Sequence, residues 1–186
     1  MKTILVVNQK GGVGKTTISN EIAFTLERRG LSVCLINLDP QGSSIYPLTI
    51  PDGTQDYRVI DTPPQLHKDF QEWCRSADVI LMPTKPSKVE LAPFLRCHSL
   101  AIESNTKASI GTVINCYNKR LRVDRGYLKG LQNSGIEIWG TIPTTTVITQ
   151  AQSEDHSVYS ENKNHAARWA FEDLCDVIIK EANNAK

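Results

Sequence analysis

Lys10, Lys15 and Thr16 share one short stretch, NQKGGVGKTT, from Asn8 to Thr17. It follows the apolar run ILVV and crowds glycines, lysines and threonines onto a few residues. Backbone N–H groups of a glycine-rich turn and of a helix N-terminus can face one point, which makes an anion site. Gly11, Gly12 and Gly14 let the backbone approach phosphate oxygens closely. Gly11, Gly12, Val13, Gly14, Lys15, Thr16 and Thr17 are therefore the candidate nucleotide-binding residues, with Lys15 at the β/γ-phosphates and the Thr16 hydroxyl on Mg²⁺. The strict phosphate-loop pattern asks for a glycine six residues before the lysine. Gln9 stands there, and an extra lysine, Lys10, lies inside the loop. A glycine-rich turn without a ligand is the alternative.

A metal on such a loop needs carboxylates beside it. Asp61 in VIDTPP and Asp39 in LINLDPQG each end an apolar run. Aspartates at the C-terminal ends of parallel strands sit where open α/β sheets bind ligands. Asp39 and Asp61 join Thr16 as candidate metal residues. Alone, either aspartate reads as a helix cap or a turn former.

The elements that must hold these residues alternate. Apolar runs at Thr3–Val7, Val33–Leu38, Tyr57–Ile60, Asp78–Pro83, Ser109–Asn115 and Ile136–Gly140 predict strands, and most are continuous enough to be buried on both faces. Helical patterns lie at Thr16–Arg29, Leu66–Arg75, Leu91–Ser104, Val123–Asn133 and Ala166–Glu181. The expected fold class is α/β, a mostly parallel sheet with helices on both faces, in a single domain over residues 1–186.

The chain has 186 residues, a net charge of +1 and 40% apolar residues, which suits one soluble domain and gives no overall basic excess. Any nucleic-acid contact must come from a local patch. The five cysteines contain no Cys-x-x-Cys pair, and they read as buried reduced thiols. No run is long enough to span a bilayer, so the expected location is cytoplasmic, nucleoid-associated if the protein binds DNA.

KGGVGKTT, LDPQGS, VIDTPP and PTKPS occur in that order, and GTIPTTTVITQAQSEDHSVY precedes a closing amphipathic helix. This set resembles the ParA/MinD family of deviant Walker A P-loop ATPases over nearly the whole chain, and is most similar to the small plasmid-partition ParA-type proteins. The resemblance implies ATP and Mg²⁺ as cofactors and slow, partner-stimulated hydrolysis to ADP and phosphate. It implies an ATP-bound homodimer that binds DNA non-specifically, and a centromere-binding ParB-type adaptor. It gives Lys10 a contact across the dimer to the partner's ATP, and Asp39 the positioning of the attacking water. Lys10, Lys15 and Asp39 become the candidate catalytic set. Asp61 would hold Mg²⁺ through water, with Thr62 to Pro64 as a switch. Asn115 falls where related ATPases read the adenine edge, and Pro143 where they pack against the base. Three departures stand out: Asn37 replaces a common first aspartate, the Asp39–Asp61 connection is short, and Thr144 replaces an arginine that often follows Ile-Pro.

For the surface partner, Lys119 and Arg120 precede Arg122, Arg125 and Lys129, which share a helix face by spacing. That patch suits phosphate contacts without sequence readout; a solvated helix face is the plainer alternative. The last helix carries Glu172, Asp173, Asp176 and Glu181, which anionic headgroups would repel, so a membrane partner is not expected. A MinD-like ATPase positioning membrane or protein cargo is the first rival, and an ATP-dependent carboxylate-activating synthetase the second.

Overall fold

The computed structural model describes residues 1–40, 44–65, 68–104, 106–161 and 165–185. Six strands form one parallel sheet: β1 (Lys2–Val6), β2 (Val33–Asn37), β3 (Tyr57–Asp61), β4 (Val79–Thr84), β5 (Ser109–Tyr117) and β6 (Ile138–Pro143). Their order is β2-β3-β1-β4-β5-β6. Successive residues of a strand point to opposite faces, and in β1 this division is plain. Ile4 and Val6 join one core with Leu26, Phe171, Leu174 and Ile178, while Leu5 and Val7 join the other with Phe70, Phe94 and Leu131. Continuous apolar strands are what two covered faces require.

Helices α1 (Lys15–Arg28), α5 (Thr146–Ser153), α6 (Val158–Glu161) and α7 (Ala166–Asn184) follow β1 and β6. Helices α2 (Phe70–Ser76), α3 (Lys88–Glu103) and α4 (Arg122–Asn133) follow β3, β4 and β5. The acidic side of α7 docks on the end of α1: Arg29 binds Glu172 at 2.8 Å and Asp176 at 2.7 Å, and Arg28 also pairs with Glu172. Among the described residues no helix is long and apolar enough to cross a membrane.

Several expectations shift. The helix expected from Leu66 is seen as α2 from Phe70, and Leu66 and His67 lie outside the described residues. So do Gln41, Gly42 and Ser43 of the LDPQGS motif. Helix α3 starts at Lys88 and contains Pro93. The missing proline N–H removes the usual helical donor to the Val89 carbonyl, at a residue that is 71% exposed. Helices α5 and α6 were not foreseen. Thr145 caps α5 by accepting from the Val147 N–H at 3.2 Å, and the β-branched run TTTVIT hid the start. Four cysteines are buried as expected, but Cys116 is exposed at the end of β5. Among the described residues no helix lies between β2 and β3, and Leu48 pairs as a parallel bridge to Leu35.

Candidate nucleotide site and basic turn

The chain order reverses beside β1, whose neighbours are β3 and β4, so the loop after β1 opens at a topological switch point. Asn8 anchors that loop. Its Nδ2 donates to the Pro83 carbonyl at 2.7 Å, and its Oδ1 accepts from the Lys10 N–H at 3.0 Å. Gly14 stands at the N-cap of α1 with φ 98, and a Cβ there would lie 2.1 Å from Asn115 Nδ2. Only glycine fits. No side chain caps α1, so its first N–H groups face the loop cavity without a side-chain partner.

Lys15 is 6% exposed, and its Nζ donates to the Lys10 carbonyl at 3.2 Å. Burial lowers its pKa, against the pull of Asp61 and Asp39. A buried ammonium short of counter-charge favours an anion. Asp61 is 1% exposed. It accepts from Thr16 Oγ1 at 2.6 Å and from Ser19 Oγ at 3.4 Å. Burial raises its pKa to about 6, in spite of the Thr16 hydrogen bond and Lys15. Thr16 and Asp61 are thus one hydrogen bond apart, with a carboxylate that a cation would stabilise. Among the described residues no three metal-ligating side chains cluster. Mg²⁺ needs no such cage, because it binds through one or two protein oxygens, waters and substrate phosphates. The residues present fit Mg²⁺.

Gly11, Gly12, Gly14, Lys15, Thr16, Thr17, Asp39 and Pro64 line a cavity of ≈ 170 Å³. Asn37 Oδ1 accepts from the Asp39 N–H at 2.8 Å, so the residue that replaces a common aspartate fixes the turn bearing Asp39. Thr62 donates to the Val6 carbonyl at 2.9 Å and ties the proposed switch to β1. The Lys10 side chain has no hydrogen-bond or ion-pair partner among the described residues.

A second cavity of ≈ 430 Å³ shares Gly12, Gly14 and Thr17 with the first and continues past Asn115, Pro143, Lys85 and the α5 residues Ile148 and Gln152. Asn115 and Pro143 thus line the same cavity. Asn115 also braces the loop, donating from Nδ2 to the Val13 carbonyl at 2.9 Å. The α5 wall was missed because α5 was missed; the Thr145 cap was the only available signal. Three contacts spaced along α1 hold α5 and α6. Gln152 donates to Thr17 at 2.7 Å, Glu21 accepts from Ser157 Oγ at 2.7 Å and from the Val158 N–H at 3.1 Å, and Thr25 reaches Tyr159 at 3.3 Å. Glu21 is fully buried, and desolvation raises its pKa against those donors.

Lys119, Arg120, Arg122, Arg125 and Lys129 are all exposed on or before α4. Arg125 is partly committed, because its Nη1 donates to the Lys119 and Arg120 carbonyls at 2.9 Å each. Asp124 accepts from the Asn118 N–H at 2.7 Å, which fixes the same turn.

A parallel sheet with this loop at its switch point defines a P-loop nucleotide-binding domain. Residues 4–158 match the CobQ/CobB/MinD/ParA nucleotide binding domain, and the chain belongs to that family. Among curated relatives, the maintenance of carboxysome distribution protein A of Halothiobacillus neapolitanus is 28% identical, over 84% of this chain and 86% of that protein. The chromosome-partitioning ATPase Soj of Thermus thermophilus is 39% identical over 34% of this chain and 26% of its own length. Among solved structures, the MinD cell division protein of Aquifex aeolicus superposes with TM-score 0.79 at 19% identity, over 97% of each chain. A Borrelia burgdorferi protein named as a putative plasmid partition protein, bound to AMPPNP, superposes with TM-score 0.77 at 17% identity, over 97% of this chain and 99% of that one.

Proposed function

We propose that the chain, as a single domain over residues 1–186, is a ParA-type ATPase. It binds ATP with Mg²⁺, forms a homodimer in that state, holds DNA non-specifically and resets by slow hydrolysis. The observation that carries this reading is the loop with two lysines in different states. Lys15 is buried and folded back on the Lys10 carbonyl, while the Lys10 ammonium has no partner among the described residues. One lysine serves the phosphates of its own site, and the other reaches those of a second copy. The name of the partition relative Soj supports the role, as does the bound AMPPNP of the Borrelia neighbour.

In this mechanism the Lys15 ammonium and the first N–H groups of α1 hold the phosphate tail. Thr16 and Asp61 would hold Mg²⁺, which would supply positive charge to neutralise the phosphate tail. The Asp39 carboxylate, on a turn whose backbone N–H is held by Asn37, accepts a hydrogen bond from the attacking water. Asn115 and Pro143 border the base. Lys119, Arg120, Arg122 and Lys129 contact DNA phosphates, with Arg125 bracing the turn, and a ParB-type adaptor speeds the reset. A cargo-positioning role is the second reading, favoured by the length of the match to the carboxysome distribution protein.

The test is anisotropy of a labelled random-sequence duplex, with wild type and Lys15→Ala, in ATP, ADP or no nucleotide with Mg²⁺. Salt-sensitive binding confined to wild type with ATP is expected. No binding in any state removes the DNA reading and moves cargo positioning to first place. ATP-dependent dimers and normal hydrolysis in Lys10→Ala would remove the cross-dimer role.

A further inference from the structure

A further cavity lies away from the phosphate loop. It is a groove of ≈ 720 Å³ on the outer side of β6, the last strand of the sheet. Lys119 and Arg120, on the turn before α4, form one wall, and Trp169 and Asp173 of α7 form another. Trp139 lines it from β6. That indole lies over Gly111 so closely that a Cβ on the glycine would meet its ring at 1.8 Å.

The walls differ in chemistry. No carboxylate among the described residues pairs with Lys119 or Arg120, and both side chains are exposed. Trp169 keeps 53% of its surface in solvent, with the Arg168 guanidinium 5.6 Å from its ring centroid. An exposed aromatic face opposite free cations suits a ligand with a flat π-surface on one side and anions along the other. Single-stranded nucleic acid has that form, because its bases stack on aromatic side chains while its phosphates follow a basic track. Duplex DNA keeps its base faces stacked inside. Asp173 sits beside Trp169, repels phosphate, and so confines the backbone to the Lys119–Arg120 wall.

We propose that this groove binds single-stranded DNA, with a base stacked on Trp169 and the flanking phosphates on Lys119 and Arg120. The inference rests on the DNA-binding reading above and adds to it a preference for unpaired strands. Because Pro143 and Thr144 line both this groove and the nucleoside cavity, the strand lies one residue's thickness from the nucleotide.

The experiment uses the full chain with Mg²⁺ and ATP, titrated with labelled oligothymidylate and with a duplex of the same length, read by anisotropy and by tryptophan fluorescence. Wild type should bind the single strand more tightly than the duplex, with quenching. Trp169→Ala should weaken the single strand about 5- to 100-fold and leave the duplex unchanged. Trp169→Phe, which keeps a π-face, should restore most of the loss. Equal affinity for both forms, with no effect of Trp169→Ala, overturns the groove proposal and leaves duplex binding standing. Failure of both nucleic acids to bind, with ATP still bound, overturns the DNA reading itself. Quenching by an acidic extended peptide but not by oligothymidylate overturns the proposal too, and assigns the groove to a protein strand at the β6 edge.

Discussion

The phosphate loop and the Lys119–Arg122 turn both present positive charge, and they hold it in opposite ways. In the loop the chain spends glycines, the Asn8 and Asn115 amides and an uncapped helix to fix one buried ammonium within reach of one buried carboxylate. In the turn the cations stand in water, and only Arg125 is tied down. A small, highly charged ligand is bound best by groups that need no reorganisation. A polymer of phosphates is bound by many weakly placed charges, each screened by salt. The difference in burial thus matches a difference in ligand, and it sets the size of effect expected from each change.

The largest effect belongs to Lys15. Lys15→Ala should weaken ATP binding about 10- to 100-fold, since a hydrogen bond to a charged group contributes about 1.5–3 kcal/mol. Isothermal titration calorimetry reads this directly, and unchanged affinity would separate the loop from the nucleotide. Next comes Gly14→Ala. A left-handed φ and the overlap with Asn115 should cost about 1–3 kcal/mol. The melting temperature should fall by about 2–4 °C per kcal/mol, and an unchanged melt would mean the loop is softer than its geometry.

Asp61 gives a pH signature that the turn lacks. Its folded pKa, about 6, lies above the ordinary carboxylate value of 3.8. The neutral form is therefore favoured by folding, and this contribution is lost as pH rises from about 4 through about 6. Mg²⁺ needs the ionised form. Its affinity with ATP should be flat above pH 6 and fall by up to about tenfold per unit below it. In Asp61→Asn the Asp61-dependent part of that slope should vanish; an identical profile would place the titration elsewhere. The smallest effects are on the turn. Arg122→Gln with Lys129→Gln should flatten the log–log salt slope of duplex binding by about 0.9 per charge lost, and should not alter ATP affinity. A change in ATP affinity would dissolve the contrast between the two regions.

Much of this was readable from residue order. Continuous apolar runs gave all six strands within a few residues, because a sheet covered on both faces leaves no alternation to misread. The loop residues were legible because their glycines and lysine serve backbone geometry and charge, which depend on spacing alone. The bracing contacts were not. Asn8 to Pro83 and Asn115 to Val13 join residues 75 and 102 positions apart, and nothing local marks them. Helix α5 was hidden by β-branched residues, and the groove walls come from separate elements that only the tertiary fold brings together. Cys116 misled because a cysteine with no Cys-x-x-Cys partner reads as a buried thiol, whereas here the strand end emerges into solvent with φ 55.

The three contacts from Thr17, Glu21 and Thr25 to residues 152–159 have a thermodynamic consequence. They splice the helix that follows the phosphate loop to a distant stretch of chain, so the two open and close as one cooperative unit. Filling the loop should slow amide exchange in α5 and α6, even where no nucleotide atom touches them. Linkage runs both ways. Any factor that grips the segment around Ser157 would change the affinity for the nucleotide by leverage alone, without entering its cavity.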